Sequence, residues 1–206
     1  MRTRIKICGI KDDESAIAAV EAGADALGFV FVKRSPRYIE PAAAYEIVSA
    51  LPPFVSSVSL FQNCPIEEFL AAEERCPTTV VQLHGTEDES TVEQCGPAIK
   101  AVRFDADTIA EELERWDAHE AVDAILIDGS WGGEGVTFDW DKLIEPARSV
   151  SKPIILAGGL TPQNVAEAIR IVRPYGVDVS SGVERERGIK DHELIRAFCA
   201  AVQEAD

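Results

Sequence analysis

Two residues in this sequence have the chemistry to move protons, and both stand where a strand pattern ends. Cys8 closes Arg4-Ile5-Lys6-Ile7-Cys8, in which Ile5 and Ile7 alternate with Lys6 and Cys8 as the side chains of a strand do. Gly9 follows at once, and Asp12-Asp13-Glu14 opens a helical pattern with acidic residues in its first turn. Asp128 closes the apolar run from Val122 to Ile127. A lone strand cysteine is more often a small buried hydrophobe than a reagent. A thiol and a carboxyl that both end strands are another matter, because βα proteins do their chemistry at the carboxyl ends of strands. A thiolate acts as a base once nearby positive charge lowers its pKa from about 8.5. A carboxyl in a closed pocket can stay protonated and act as an acid.

The elements that must position this pair recur along the chain. After the first strand, Ala16, Ile17, Ala19 and Val20 give a helical apolar face that ends near Gly23, and Ala24 to Phe31 reads as a buried strand. Lys33 to Tyr38 is a polar turn, and Pro41, a helix start signal, begins a helix through Leu51. Further strands are expected at Phe54–Phe61, Thr78–Leu83, Ala98–Phe104, Val122–Ile127, Pro153–Ala157 and Val177–Ser180. Helices fall between them, near Pro65–Arg75, Ile109–Trp116 and Asp139–Ser149, then from a Thr161-Pro162 cap through Val172, with His192–Glu204 last. Gly23-Ala24-Asp25 and Gly176-Val177-Asp178 look like one entry into a strand, used twice. Eight strands with helices falling between them imply a parallel sheet with right-handed crossovers. In 206 residues that pattern suits a single-domain α/β chain folded as a compact (β/α)8 barrel, residues 1–206. An open doubly wound sheet competes, but no G-x-G-x-x-G follows the first strand.

In such a barrel the residues just past each strand converge on one face: Cys8, Arg37, Gln82, His84, Arg103, Asp128, Gly158-Gly159 and Ser181-Gly182. The two glycine-bearing pairs follow strands seven and eight, the usual phosphate site of the fold, where backbone N–H groups meet the anion. Arg37, between Pro36 and Tyr38, has the fork geometry for a substrate carboxylate. His84 fits either a substrate contact or a structural role. Lys6 shares the inward parity of Cys8, so it enters the barrel and needs a carboxylate partner. A base and an acid flanking a pocket with a phosphate site point to a proton-transfer isomerase acting on a sugar phosphate. The segment Gly129 to Gly135, with four glycines in seven residues, is expected to be a mobile lid.

Composition narrows the partners. The net charge is −16, from 36 acidic and 20 basic residues, which argues against nucleic acid and anionic membrane. Any small anionic substrate must then be held by a local cluster of positive groups. Five cysteines in no C-x-x-C spacing argue against a zinc site or a disulfide framework and fit a reducing cytoplasm. No run reaches the roughly 20 apolar residues of a membrane span, and the N-terminus shows no secretory pattern.

Several segments in order resemble the phosphoribosylanthranilate isomerase family: Lys6-Ile7-Cys8-Gly9-Ile10, Ser35-Pro36-Arg37, Gln82-Leu83-His84-Gly85, Asp128 with Gly132-Gly133 and Gly135 ahead of Phe138-Asp139-Trp140, Ala157-Gly158-Gly159-Leu160, and Asp178 through Glu184. The resemblance spans essentially the whole chain. It implies an Amadori rearrangement in tryptophan biosynthesis, with N-(5-phosphoribosyl)anthranilate becoming the 1-deoxyribulose 5-phosphate. By motif, it makes Asp128 the acid that opens the ribose ring and Cys8 the base at C2 of the sugar. It makes Arg37 the holder of the anthranilate carboxylate. Gln82, His84 and Asp178 are implied as further substrate contacts, and Gly158, Gly159, Ser181 and Gly182 as the phosphate site. It implies no metal and no organic cofactor; the partner is a phosphorylated small molecule, and the state a monomer or homodimer. Three departures stand out: Glu134 in place of a small hydroxyl residue in the lid, Arg187 in place of a proline before Gly188, and a looser Leu60-Phe61-Gln62-Asn63. The competing readings are an epimerase or two-phosphate isomerase on the same barrel, and a non-catalytic barrel that binds a phosphosugar or docks to a partner enzyme.

Overall fold

The structure is a computed structural model that describes residues 2–130 and 137–205. Eight parallel strands close into a barrel in sequence order: β1 Arg4–Cys8, β2 Ala26–Val30, β3 Ser56–Phe61, β4 Val80–Leu83, β5 Ala98–Arg103, β6 Val122–Asp128, β7 Ile154–Leu156 and β8 Gly176–Val179. Helices α1 Asp13–Glu21, α2 Pro41–Ser49, α3 Ile66–Arg75, α4 Glu89–Cys95, α5 Ile109–Asp117, α6 Ile144–Arg148, α7 Val165–Val172 and α8 His192–Ala205 alternate with them. Beyond β8 a short 3-10 turn, Ser181–Val183, leads into a small hairpin, β9 Glu184–Glu186 with β10 Ile189–Lys190.

Alternation along each strand sorts the side chains into two layers. Ile5, Ile7, Leu27 and Phe29 face outward into one apolar layer shared with helix residues such as Ala16, Ile195 and Phe198. The other parity turns inward, where Ile99, Ala101, Ala124, Leu126, Ile155 and Ala157 fill one side of the barrel. Cys8, Val30 and Leu60 form a separate small cluster. Lys6 follows the inward parity and is buried, as expected.

Several boundaries differ from the sequence reading. Strand two starts at Ala26, so Asp25 stays outside it. There Asp25 accepts hydrogen bonds from Arg2, Arg4 and the Ile5 amide at the amino end of the barrel. Asp178 instead lies within β8, so the matching triplets do not enter their strands alike. The expected helix over Asp139–Ser149 is a 3-10 turn, Trp140–Leu143, followed by only one short α-helix. Thr161-Pro162 precedes α7 without capping it directly. The Asn164 side chain accepts from the Thr161 amide, and the helix begins at Val165. Real side-chain caps do form at Asp12, which accepts from the Ser15 amide, and at Asp88, which accepts from the Thr91 amide.

Candidate active site

Most of the expected residues meet at the carboxyl ends of the strands. A cavity of about 310 Å³ opens there, with Cys8, Arg37, His84, Asp128, Asp178 and Ser180 in its wall. Arg34 and Arg187 also line it, so three arginines face the mouth of a strongly acidic protein. A narrower recess adjoins it and shares Asp128, Asp178 and Ser180; Gly158, Gly159 and Ser181 form its wall. The glycines there have structural reasons. Gly158 and Gly159 hold φ of +85° and +62°, and a Cβ on Gly158 would reach the Gly129 amide and crowd Asp128. At Gly182, which lies beside the recess, a Cβ would run into the Leu160 carbonyl.

Strand register builds the region around Cys8. Lys6 pairs with Asp178 across β1 and β8, and its Nζ lies 2.7 Å from Asp178 Oδ1. This is the partner that the inward parity of Lys6 required. Burial works against the Lys6 ammonium, but Asp178 and Cys8 more than offset it and its pKa is raised. On the other side Cys8 lies opposite Gly28 of β2, where a Cβ would come within 2.8 Å of the Cys8 sulfur and 3.2 Å of Lys6 Nζ. Gly28 leaves the space that the thiol and the ammonium occupy.

Burial pushes the Cys8 thiol above its ordinary value; Lys6 and Lys190 pull it down, and Asp178 adds to the rise. The thiol is therefore not lowered by positive charge as the sequence led one to expect. Both cations are present, and desolvation outweighs them.

Asp128 stands three strands away round the barrel from Cys8. Its Oδ1 accepts from the Ser130 amide at 3.0 Å, and its Oδ2 lies 3.4 Å from His84 Nε2. That separation is a close contact, and no hydrogen bond is aligned across it. The Gln82 amide nitrogen lies 2.9 Å from His84 Nδ1. With Gln82 as the donor, the proton of a neutral His84 sits on Nε2, toward Asp128. Gln82 is wholly buried and lies behind His84, outside the cavity wall, so it can orient the imidazole but does not reach the cavity itself. The backbone under His84 is held from outside the barrel. Glu87 accepts from the amides of Asn63 and Gly85 and from the buried ammonium of Lys100.

Arg37 is in the wall, and its guanidinium is already oriented. Nε lies 2.7 Å from Glu184 Oε1, and Nη2 lies 3.0 Å from Glu184 Oε2. Arg103 does not join the site. It is exposed at the end of β5 and faces a separate outer cavity with Asp105, Glu112 and Arg115. Of the expected lid, Trp131, Gly132, Gly133, Glu134 and Gly135 lie outside the described residues.

Lys190 and Gly28 carry no sequence signal of a role at the site, and Ser180 and Glu184 fall in a segment of the family resemblance that assigns them none. Lys190 reads as a surface lysine ahead of a helix, yet it is buried. Its Nζ donates to the Ser180 carbonyl at 2.9 Å, while Ser180 Oγ donates to the Cys8 carbonyl at 3.0 Å.

A closed eight-stranded barrel with a thiol, a carboxyl and a glycine-walled recess around one pocket defines a class: a (β/α)8 barrel with an enzyme's cavity at the carboxyl ends of its strands. Comparison with known proteins gives the family. The family model described as N-(5'-phosphoribosyl)anthranilate (PRA) isomerase matches residues 5–201. The isomerase of that name from Pseudomonas fluorescens is 50% identical over 97% of this chain and 98% of its own. The crystal structure of phosphoribosyl anthranilate isomerase from Thermus thermophilus superposes with a TM-score of 0.90 at 38% identity, covering 99% of this chain and 100% of that one. A second structure, of a phosphoribosyl anthranilate isomerase in complex with reduced 1-(o-carboxyphenylamino)-1-deoxyribulose 5-phosphate, superposes at 0.85 with 41% identity, over 98% and 99% of the two chains. This chain belongs to the N-(5'-phosphoribosyl)anthranilate isomerase family, and it is an aldose–ketose isomerase of tryptophan biosynthesis.

Proposed function

We propose that Cys8 and Asp128 divide the two proton transfers of the Amadori rearrangement of N-(5'-phosphoribosyl)anthranilate between them. The observation that carries this reading is their placement in opposite parts of one cavity wall, with the recess at Gly158-Gly159 and Ser181 beside them. Asp128, protonated, gives its proton to the ribose ring oxygen as the bond from that oxygen to C1 breaks, and the anthranilate nitrogen lone pair forms the Schiff base. Cys8, as thiolate, removes the proton from C2, and the C–H electron pair becomes the double bond of an enolamine. The enol then loses its hydroxyl proton as C1 gains one, giving the ketone. The phosphate occupies the recess, held by backbone N–H groups around Gly159, Ser181 and Gly182. Arg37 takes the anthranilate carboxylate, and Asp178 and His84 border the sugar. His84 is aimed at Asp128, and that favours a role in orienting the acid as well as touching the substrate.

The same reading takes residues 1–206 as one catalytic domain, working in the cytoplasm as a monomer or homodimer. Among the described residues no helix is long and apolar enough to cross a membrane.

Steady-state fluorescence kinetics on Cys8→Ser and Asp128→Asn test the division of labour. Each should lose about 10²–10⁴ in kcat, the range for a general acid or base, with KM moving far less. The serine hydroxyl cannot supply a basic form near neutral pH, and the asparagine amide keeps the shape of the acid without its proton. Near-normal turnover by folded Cys8→Ser would remove Cys8 as the base.

A further inference from the structure

The carboxylate of Glu184 sits behind Arg37 and accepts from Arg37, Lys190 and the Gly188 amide. Its Oε1 accepts from Arg37 Nε at 2.7 Å and Lys190 Nζ at 3.1 Å; its Oε2 accepts from Arg37 Nη2 at 3.0 Å and the Gly188 amide at 3.1 Å. The side chains of Arg37, Glu184 and Lys190 are 5%, 4% and 1% exposed. Two parallel N–H···O bonds to one carboxylate fix the guanidinium plane as well as its position. The hairpin β9–β10 supplies Glu184, Gly188 and Lys190 together, so this piece of structure beyond β8 ends as a mount for an arginine from the loop after β2.

We propose that Glu184 is a positioning residue that sets substrate selectivity: it clamps the Arg37 guanidinium in the plane that receives the aromatic carboxylate of the substrate, without taking part in either proton transfer. This rests on the reading of Arg37 as the carboxylate fork. The clamp removes the rotamer freedom that a long arginine otherwise loses on binding, so the fork meets the carboxylate already ordered. Without Glu184 the same guanidinium must be ordered by the substrate itself. A glutamine in its place keeps the volume, but its amide turns a donor toward Arg37 or Gly188, which are donors too.

The test compares two substrates on each variant: N-(5'-phosphoribosyl)anthranilate and the corresponding phosphoribosyl aniline, which lacks the ring carboxylate. The readout is the ratio of their kcat/KM values. The parent protein should prefer the carboxylated substrate by about a hundredfold, and Arg37→Met should abolish that preference. Glu184→Gln should cut the preference about tenfold or more, mainly through KM of the carboxylated substrate, while turnover of the aniline substrate stays within about threefold of the parent. Glu184→Asp, which keeps the charge one methylene short, should fall between the two, and it decides the matter if the glutamine variant does not fold. A merely structural role would lower both substrates together and leave the ratio intact, and that result overturns the proposal. A parent ratio near one overturns the carboxylate-fork reading of Arg37 instead. A large parent ratio lost in Arg37→Met but kept in both Glu184 variants overturns the clamp alone.

Discussion

Replacing Lys6 by Met should separate what the buried ion pair does for the fold from what it does for the thiol. Lys6 and Asp178 meet in register on β1 and β8, 2.7 Å apart, with side chains 6% and 8% exposed. Methionine fills the volume of the lysine stem but brings no charge, so the Asp178 carboxylate is left buried without its cation. Breaking a buried pair by removing one partner costs about 3–5 kcal/mol, because the remaining charge has nowhere to be solvated. Taking away both charges, in Lys6→Met with Asp178→Leu, should cost markedly less than the lysine change alone, since apolar pairs of similar volume often replace buried ion pairs without loss. Urea unfolding of the parent, both single variants and the double variant measures this cycle. The catalytic consequence runs through Cys8. Burial raises the thiol, and Lys6 is the largest influence pulling it back. Lys6→Met should therefore move the thiolate limb of the kcat/KM profile to higher pH, with activity at neutral pH falling about tenfold for each unit moved. A Lys6→Met protein within about 1 kcal/mol of the parent, or a limb that stays where it was, would refute the reasoning.

Two further outcomes follow from single sites. Gly28→Ala should cut kcat by about 10² with little change in KM, because the new Cβ meets the Cys8 sulfur at 2.8 Å and the Cys8 Cα at 3.1 Å, and the backbone cannot step aside cheaply. Ordinary turnover by that variant would mean that the strands part more readily than their register suggests. The second concerns alkaline stability. Burial pushes the thiols of Cys76 and Cys95 up to about 11 and that of Cys199 to about 12. In the unfolded chain they ionise near about 8.5. Above that pH the unfolded state has shed protons that the folded state still holds, so stability is full below about 8.5 and declines as pH rises toward the folded values. The thermal midpoint should drop between about pH 8.5 and about pH 10, and Cys199→Val should flatten the decline; a level midpoint in the parent would count against it.

The barrel and the placement of Cys8 and Asp128 at strand ends in one cavity were legible because each rests on local periodicity. Strand parity put Lys6 and Cys8 on one side and Ile5 and Ile7 on the other, and the two cores follow that sorting. What was not legible depends on register between distant segments. Asp25 and Asp178 follow the same Gly-x-Asp spacing, but the strand start falls after one and before the other. Arg103 ends its strand as Asp128 does and lies opposite it in register, yet only the aspartate enters the cavity. Gln82 has the inward parity of a substrate contact and is covered by the histidine two residues on. Glu184 finds its partner in Arg37, 147 residues earlier in the chain, with Lys190 joining through Glu184, and no pattern within either segment announces the pairing.

Charge is arranged differently inside this protein and over the whole of it. A net charge of −16 repels a substrate that carries both a phosphate and a carboxylate. At the pocket the balance is reversed by position. Asp178 is engaged by Lys6, and Glu184 by Arg37 and Lys190, so these two carboxylates are tied to buried cations. Arg34 and Arg187 add positive charge at the mouth. Two of the three departures noted in the sequence carry opposite signs: Glu134 adds a negative charge to the segment that follows Asp128, and Arg187 puts a guanidinium where a proline was expected. Arg187 lines the same cavity as Cys8 and Asp128, on the hairpin whose other residues hold Arg37. The hairpin beyond β8 thus gives an acidic barrel a locally cationic pocket: one arginine faces the mouth directly, and a glutamate–lysine pair behind it mounts another.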